Sequence, residues 1–187
     1  MEATSKTLSI EKIIKLILIT IVGSILITIS AKIKIPFYPV PMTMQTFVIL
    51  LIGITLGKKI GLATVTLYLL EGIFGLPVFA SSPEKGIGIT YFLGPTMGYL
   101  IGFLVAVYFA GLFKYDKGLI NTFFKLIFSV SFIYILGLIW LGTLIGWDKP
   151  VFKFGAEPFL LAELFKILLL LFLTPTLLKA KKLIKII

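Results

Sequence analysis

The sequence predicts an all-α integral membrane protein: a bundle of six transmembrane helices with an outward-facing pocket and both termini cytoplasmic. Three observations predict it. Mean hydropathy is +1.13, and only 14% of the 187 residues are charged, against about 25% in soluble domains. Long apolar runs recur from end to end, and the length accommodates about six spans of about 20 residues with their connections. The lysines fall unevenly on alternate connections, the pattern that orients a membrane bundle. Residues 1–187 read as a single transmembrane domain in a lipid bilayer.

Composition also excludes function classes. With no cysteine there is no disulfide framework and no thiolate chemistry. The absence of histidine removes the commonest general base and transition-metal ligand. A net charge of +10 raises the question of nucleic acid, but every basic residue is a dispersed lysine, and arginine, the usual base reader, is missing. No metal ligand set and no nucleic-acid partner are expected.

Met1–Ile10 is short and polar, with no small-residue cleavage site, so no removable signal peptide is expected. The first span is predicted over Glu11–Ala31, where Thr20, Ser24 and Thr28 recur beside Gly23 as a shallow stripe suited to close helix approach. In the following segment, Lys32–Met44, Pro36, Pro39 and Pro41 exclude a helix and favour stiff, extended backbone. Gln45–Gly57 is a short second span. The Gln45 amide in its first turn has two readings, a cap for the preceding loop or a ligand contact, because an unbonded amide there is costly.

Gly57, Lys58 and Lys59 make a tight basic turn, and Ile60–Ile73 is the third span, with Glu71 at its end expected to reach the interface. The fourth span, Met97–Phe113, carries Gly98, Gly102, Ala106 and Ala110 as a packing stripe. Leu119–Gly146 is the fifth, with Lys125 snorkelling from its first turns and Trp147 at an interface. Asp148–Pro158 connects to the sixth, Phe159–Leu178, and Lys179, Lys181, Lys182 and Lys185 form a basic tail.

With six spans, twelve lysines lie on the side of the termini (Lys6, Lys12, Lys15, Lys58, Lys59, Lys114, Lys117, Lys125 and the tail). Lys32, Lys34, Lys85, Lys149 and Lys153 fall on the other. The excess marks the termini as cytoplasmic.

Between the third and fourth spans lies Gly72–Tyr99, rich in Gly, Pro and aromatic residues and nearly free of charge. Exposed loops are normally polar. Irregular apolar backbone at a membrane face suits the lid or wall of a cavity, and this loop faces outward.

Glu163 and Lys166 stand three residues apart inside the sixth span, on one helix face. Such residues are costly in a membrane. Either they neutralise each other, or both face an outward-open cavity where Lys166 meets an anionic group and Glu163 accepts N–H donors. With Gln45 opening onto it, that cavity would suit a small ligand with a carboxylate, an apolar body and an amide-like head.

Four stretches, AKIKIPFYPVPMTMQTF (31–47), LYLLEGIFGLPVFA (67–80), LGPTMGYLIGF (93–103) and PFLLAELFKI (158–167), carry a resemblance that spans the chain. In them the sequence resembles the BioY family, the biotin-binding S components of energy-coupling-factor (ECF) vitamin transporters. The resemblance implies high-affinity capture and uptake of biotin across the cytoplasmic membrane by a protein that is no enzyme. Biotin is then the transported substrate, and no cofactor is implied. The implied partners are the ECF energising transmembrane subunit and two cytoplasmic ATPase subunits, with the whole component tipping over during transport.

The family's Asp-x-x-Lys falls on Glu163 and Lys166, with an acid one methylene longer that keeps hydrogen bonding to the ureido ring but shifts its geometry. The family's Ala-x-x-x-Ala docking motif falls on Ser24 and Thr28. The resemblance further implies Phe79 and Tyr91 as walls for the thiophane ring and chain, Ser82 as a polar contact and Lys166 as partner of the valerate carboxylate.

An autonomous biotin transporter working without ATPases is the alternative; the absence of a Walker sequence fits either. An intramembrane enzyme would need Glu163, Glu71 or Asp148, but these sit in separate segments with no histidine or cysteine to join them. A structural scaffold would not need the Pro-rich outer segments or the charged pair.

Overall fold

The computed structural model describes residues 10–35 and 38–184, apart from the side chains of 180–184. Lys6, Pro36 and Lys185 lie outside the described residues, as do the side chains of Lys181 and Lys182.

Helix α1 (Ile10–Lys32) begins and ends within a residue of its expected limits. One side, with Gly23, Ser24, Ile27, Ser30 and Ala31, is buried, and the other presents isoleucines and leucines outward. Only glycine fits at the crossing, since a Cβ on Gly23 would come within 2.5 Å of Thr64. Strands β1 (Lys34–Ile35) and β2 (Met42–Thr43) follow as an antiparallel pair, Lys34 opposite Thr43 and Ile35 opposite Met42. Strand β2 leads through Met44 into the next helix.

Helix α2 (Gln45–Ile73) contains both the second and third predicted spans as one helical hairpin. Gly57, at φ 76°, makes the reversal, a conformation that costs glycine nothing. Gln45 Nε2 lies 2.8 Å from the Tyr68 hydroxyl, although a straight helix would separate them by about 35 Å. The limbs 45–56 and 58–73 therefore lie side by side, and a Cβ on Gly61 would stand 3.8 Å from the Gly53 Cα.

The apolar loop after α2 contains one short helix, α3 (Gly88–Phe92), where irregular backbone was expected throughout. Helices α4 (Met97–Leu112) and α5 (Gly118–Ile145) match their predicted runs closely. The stripe on α4 is a packing face divided between two neighbours. Cβ atoms on Gly98 and Gly102 would strike Leu136 O at 2.2 Å and the Ile133 Cα at 2.6 Å, both on α5. One on Gly53 of α2 would meet the Ala110 Cβ at 2.7 Å. Removing side chains at such crossings is how helices gain dispersion contact where lipid supplies no hydrophobic drive. The connection that follows α5 holds α6 (Val151–Gly155). Helix α7 (Glu157–Ile184) starts earlier and runs further than predicted, with Glu157 in its first turn and Pro175 accommodated inside.

Among the described residues, α1, α5 and the Glu157–Lys179 part of α7 are each long and apolar enough to cross a membrane, as is α2 by its total length, although the reversal at Gly57 divides it into two shorter limbs. Helix α4 is apolar but has 16 residues. One buried cluster, drawing on α1, α2, α4, α5 and α7, forms the core.

One polar residue departs from expectation. Glu71 does not reach for the interface; its carboxylate accepts the Ser24 hydroxyl of α1. Ser24 is thereby turned into the bundle and only 1% exposed, so its hydroxyl serves a contact within the chain. Thr28 is half-buried.

Candidate functional site

A cavity of about 60 Å³, partly open to solvent, lies where β2, the start of α2, the apolar loop, α4, α5 and α7 converge. Gln45, Phe79, Tyr91, Glu163 and Lys166 all line it. Each reaches it for a local reason. Gln45 is the first residue of α2; its amide donates to Tyr68 and its oxygen accepts the Thr43 hydroxyl at 3.2 Å. That hydroxyl also accepts the Gln45 backbone N–H at 3.3 Å. Gln45 is thus bonded to the preceding loop and stands in the cavity wall.

Phe79 and Tyr91 come from opposite ends of the loop and stack at 5.2 Å with 16° between their planes. Phe79 is also edge-on to Tyr68 at 5.6 Å, and its ring rests on Gly72, where a Cβ would come within 2.1 Å. The Tyr91 hydroxyl accepts the Ser81 backbone N–H at 3.1 Å. The apolar loop is therefore a packed wall whose aromatic rings support one another.

Lysines hold that wall in place. Lys32 at the end of α1 donates to the carbonyls of Phe79 at 2.7 Å and Ser82 at 2.6 Å. Lys34 donates to the carbonyl of Ala80 at 2.8 Å and pairs with Glu84 at 3.4 Å. Glu84 is held below the usual carboxylate range, first by its own backbone N–H and then by Lys34. Ser82 does not line the cavity. Its hydroxyl donates to the Phe79 carbonyl at 2.9 Å, which closes the turn behind the wall.

The polar end of the cavity is built on Glu163, which is 3% exposed. Its Oε2 accepts from Thr46 at 2.9 Å, Tyr134 at 3.0 Å and Lys166 at 3.1 Å. Lys166 also donates to the Thr43 carbonyl at 2.9 Å and the Thr46 hydroxyl at 2.8 Å. An ammonium has three donors, and these partners occupy all three. Lys166 thus makes all three of its bonds within the protein while still lining the cavity. Glu163 Oε1 is buried without a hydrogen-bond partner.

Sequence reasoning missed Thr43, Thr46, Tyr134 and Tyr99. A helical threonine ordinarily donates to the carbonyl four residues back, as Thr20, Thr55 and Thr64 do, so Thr46 looked ordinary. Its one signal is its place in the first turn of α2, where no preceding helical carbonyl exists to take its hydroxyl.

The chain matches the BioY family over residues 2–183. It is 36% identical over 141 residues to the probable biotin transporter BioY of Pyrococcus horikoshii, covering 75% of this chain and 82% of that one. It is also 36% identical over 143 residues to the biotin transporter BioY of Thermotoga maritima, with 76% and 83% covered. A crystal structure of the S-component for biotin from an ECF-type ABC transporter superposes with a TM-score of 0.76 at 25% identity, covering 92% of this chain and 95% of that one.

Proposed function

This chain belongs to the BioY family, and from that premise we propose that it captures biotin and carries it across a membrane as the substrate-binding S component of an ECF-type transporter. The observation that carries the reading, beside the family itself, is the cavity's division of labour. Stacked Phe79 and Tyr91 offer an apolar wall, and a buried carboxylate oxygen with no partner sits in the polar end. A ureido N–H is a donor of the kind that oxygen lacks, and the thiophane ring and chain suit an aromatic wall.

In this reading the two limbs of α2, with α1, α4, α5 and α7, make six crossings of the cytoplasmic membrane. The lysine excess puts both termini in the cytoplasm and the cavity outside. The cavity is the binding half of a larger machine, energised by a transmembrane subunit and two ATPases. Docking would involve α1 around Thr28, since Ser24 is occupied by Glu71.

Uptake of labelled biotin by biotin-auxotrophic cells tests the reading. Cells expressing this chain with an ECF energising module should accumulate label, and cells expressing it with Glu163→Leu should not. Equal accumulation by the variant would remove the cavity from the account.

A further inference from the structure

Resting on the biotin reading above, we propose that Tyr134 is a positioning residue for substrate selection, assisted by Thr46. Together they hold Glu163 so that Oε1 stays free for one ureido N–H.

The asymmetry of the carboxylate is the starting point. It offers about four acceptor positions over two oxygens. Three donors from three elements, Thr46 of α2, Tyr134 of α5 and Lys166 of α7, converge on Oε2. None reaches the buried Oε1. With Lys166 alone, the carboxylate could turn to share both oxygens with the ammonium. The two hydroxyls prevent this, because both address the same atom from different sides of the cavity.

Tyr134 is itself fixed. Its ring lies edge-on to Tyr99 at 6.3 Å, and the Tyr99 hydroxyl donates to the Gly155 carbonyl at 2.9 Å. A Cβ on Gly137 would strike the Tyr99 ring at 2.3 Å, so α5 carries glycine where that ring must pass. The hydroxyl that aims Glu163 thus rests on a chain of contacts from α5 through α4 to α6.

A buried acceptor left unpaired in the empty site gains a partner only from a ligand that donates. Sites built this way reject an isostere lacking the donor far more strongly than an apolar pocket rejects a changed methylene. Tyr134 and Thr46 would then govern discrimination more than overall affinity.

The experiment measures dissociation constants of biotin and of two analogues, each with one ureido N–H replaced by CH2, for the purified chain and for Tyr134→Phe. The unaltered chain should favour biotin over one analogue by about a hundredfold or more. In Tyr134→Phe biotin should weaken about tenfold, while that analogue changes less than about twofold, so the selectivity ratio falls. A purely structural role would weaken all ligands alike, and that result overturns the proposal, as would an unchanged ratio. Should Tyr134→Phe fail to fold, Thr46→Val, which removes the other hydroxyl on Oε2, is read by the same criterion. If the unaltered chain does not bind biotin, the functional reading fails and this inference with it. If it binds biotin but accepts both analogues equally, only this inference fails.

Discussion

Glu163 Oε2 and Lys166 Nζ stand 3.1 Å apart, with side chains 5% and 9% exposed, three residues apart on α7. Removing one partner of such a buried pair leaves an uncompensated charge, at a cost of about 3–5 kcal/mol. Lys166→Met alone should therefore lower the melting temperature markedly in detergent. The double variant Glu163→Leu with Lys166→Met should recover most of the loss, yet bind no biotin. Thermal unfolding of the three proteins, with a biotin-binding assay on each, checks both halves.

The two carbonyls that Lys32 holds, those of Phe79 and Ser82, flank the segment that brings Phe79 to the cavity wall. Lys32→Met leaves both without that donor, and a hydrogen bond to a charged group contributes about 1.5–3 kcal/mol. Hydrogen exchange over 79–86 should quicken, and biotin dissociation should accelerate about tenfold or more. An unchanged off-rate with faster exchange would show the wall to be irrelevant to retention.

Gly98→Ala should be far more harmful than its single methyl suggests. That methyl would stand 2.2 Å from the Leu136 carbonyl oxygen, a backbone atom that cannot rotate away. Overpacking of this kind costs about 1–3 kcal/mol or more, so α4 and α5 must separate. Gly75→Ala is the comparison: nothing lies near its Cβ, but its φ of 101° strains any other residue. Both should lower stability, and only Gly98→Ala should also distort the cavity and weaken biotin.

Glu84 supplies a pH prediction. Its own backbone N–H, and secondarily Lys34, favour the ionised form. A depressed carboxylate contributes stability above the unfolded value of about 4.3, and that contribution is lost as pH falls through the lower folded value. The loop's anchorage should accordingly be unchanged from neutral pH to about 5 and weaken only below about 4. A carbon-13 titration of the Glu84 carboxyl should give a midpoint below that of free glutamate, rising toward it in Lys34→Gln.

What the sequence disclosed follows from how local each signal is. The helices were legible because apolar runs and their Gly, Pro and Lys boundaries are contiguous. Gly57 was legible as a turn, although not as the point where two limbs fold side by side. Gln45, Glu163 and Lys166 stood out as polar residues costly in a membrane, Phe79 and Tyr91 only through the family resemblance, and all five line one cavity. The partners of those residues did not stand out. Thr46 and Tyr134 reach Glu163 across 117 and 29 residues of chain, and neither is unusual where it sits. Lys32 was counted as a topological charge, while its bonds to carbonyls 47 and 50 residues away are purely tertiary. Ser24 shows the opposite failure, since a small-residue stripe does not reveal which neighbour it serves, and here that neighbour is Glu71.

The most direct test is calorimetric titration of biotin into the purified, detergent-solubilised chain without any partner subunit. The account predicts tight one-to-one binding that the double variant Glu163→Leu with Lys166→Met abolishes while the protein stays folded. A folded, unaltered chain that takes up no biotin would contradict it, and the cavity between α2, α5 and α7 would then belong to another ligand.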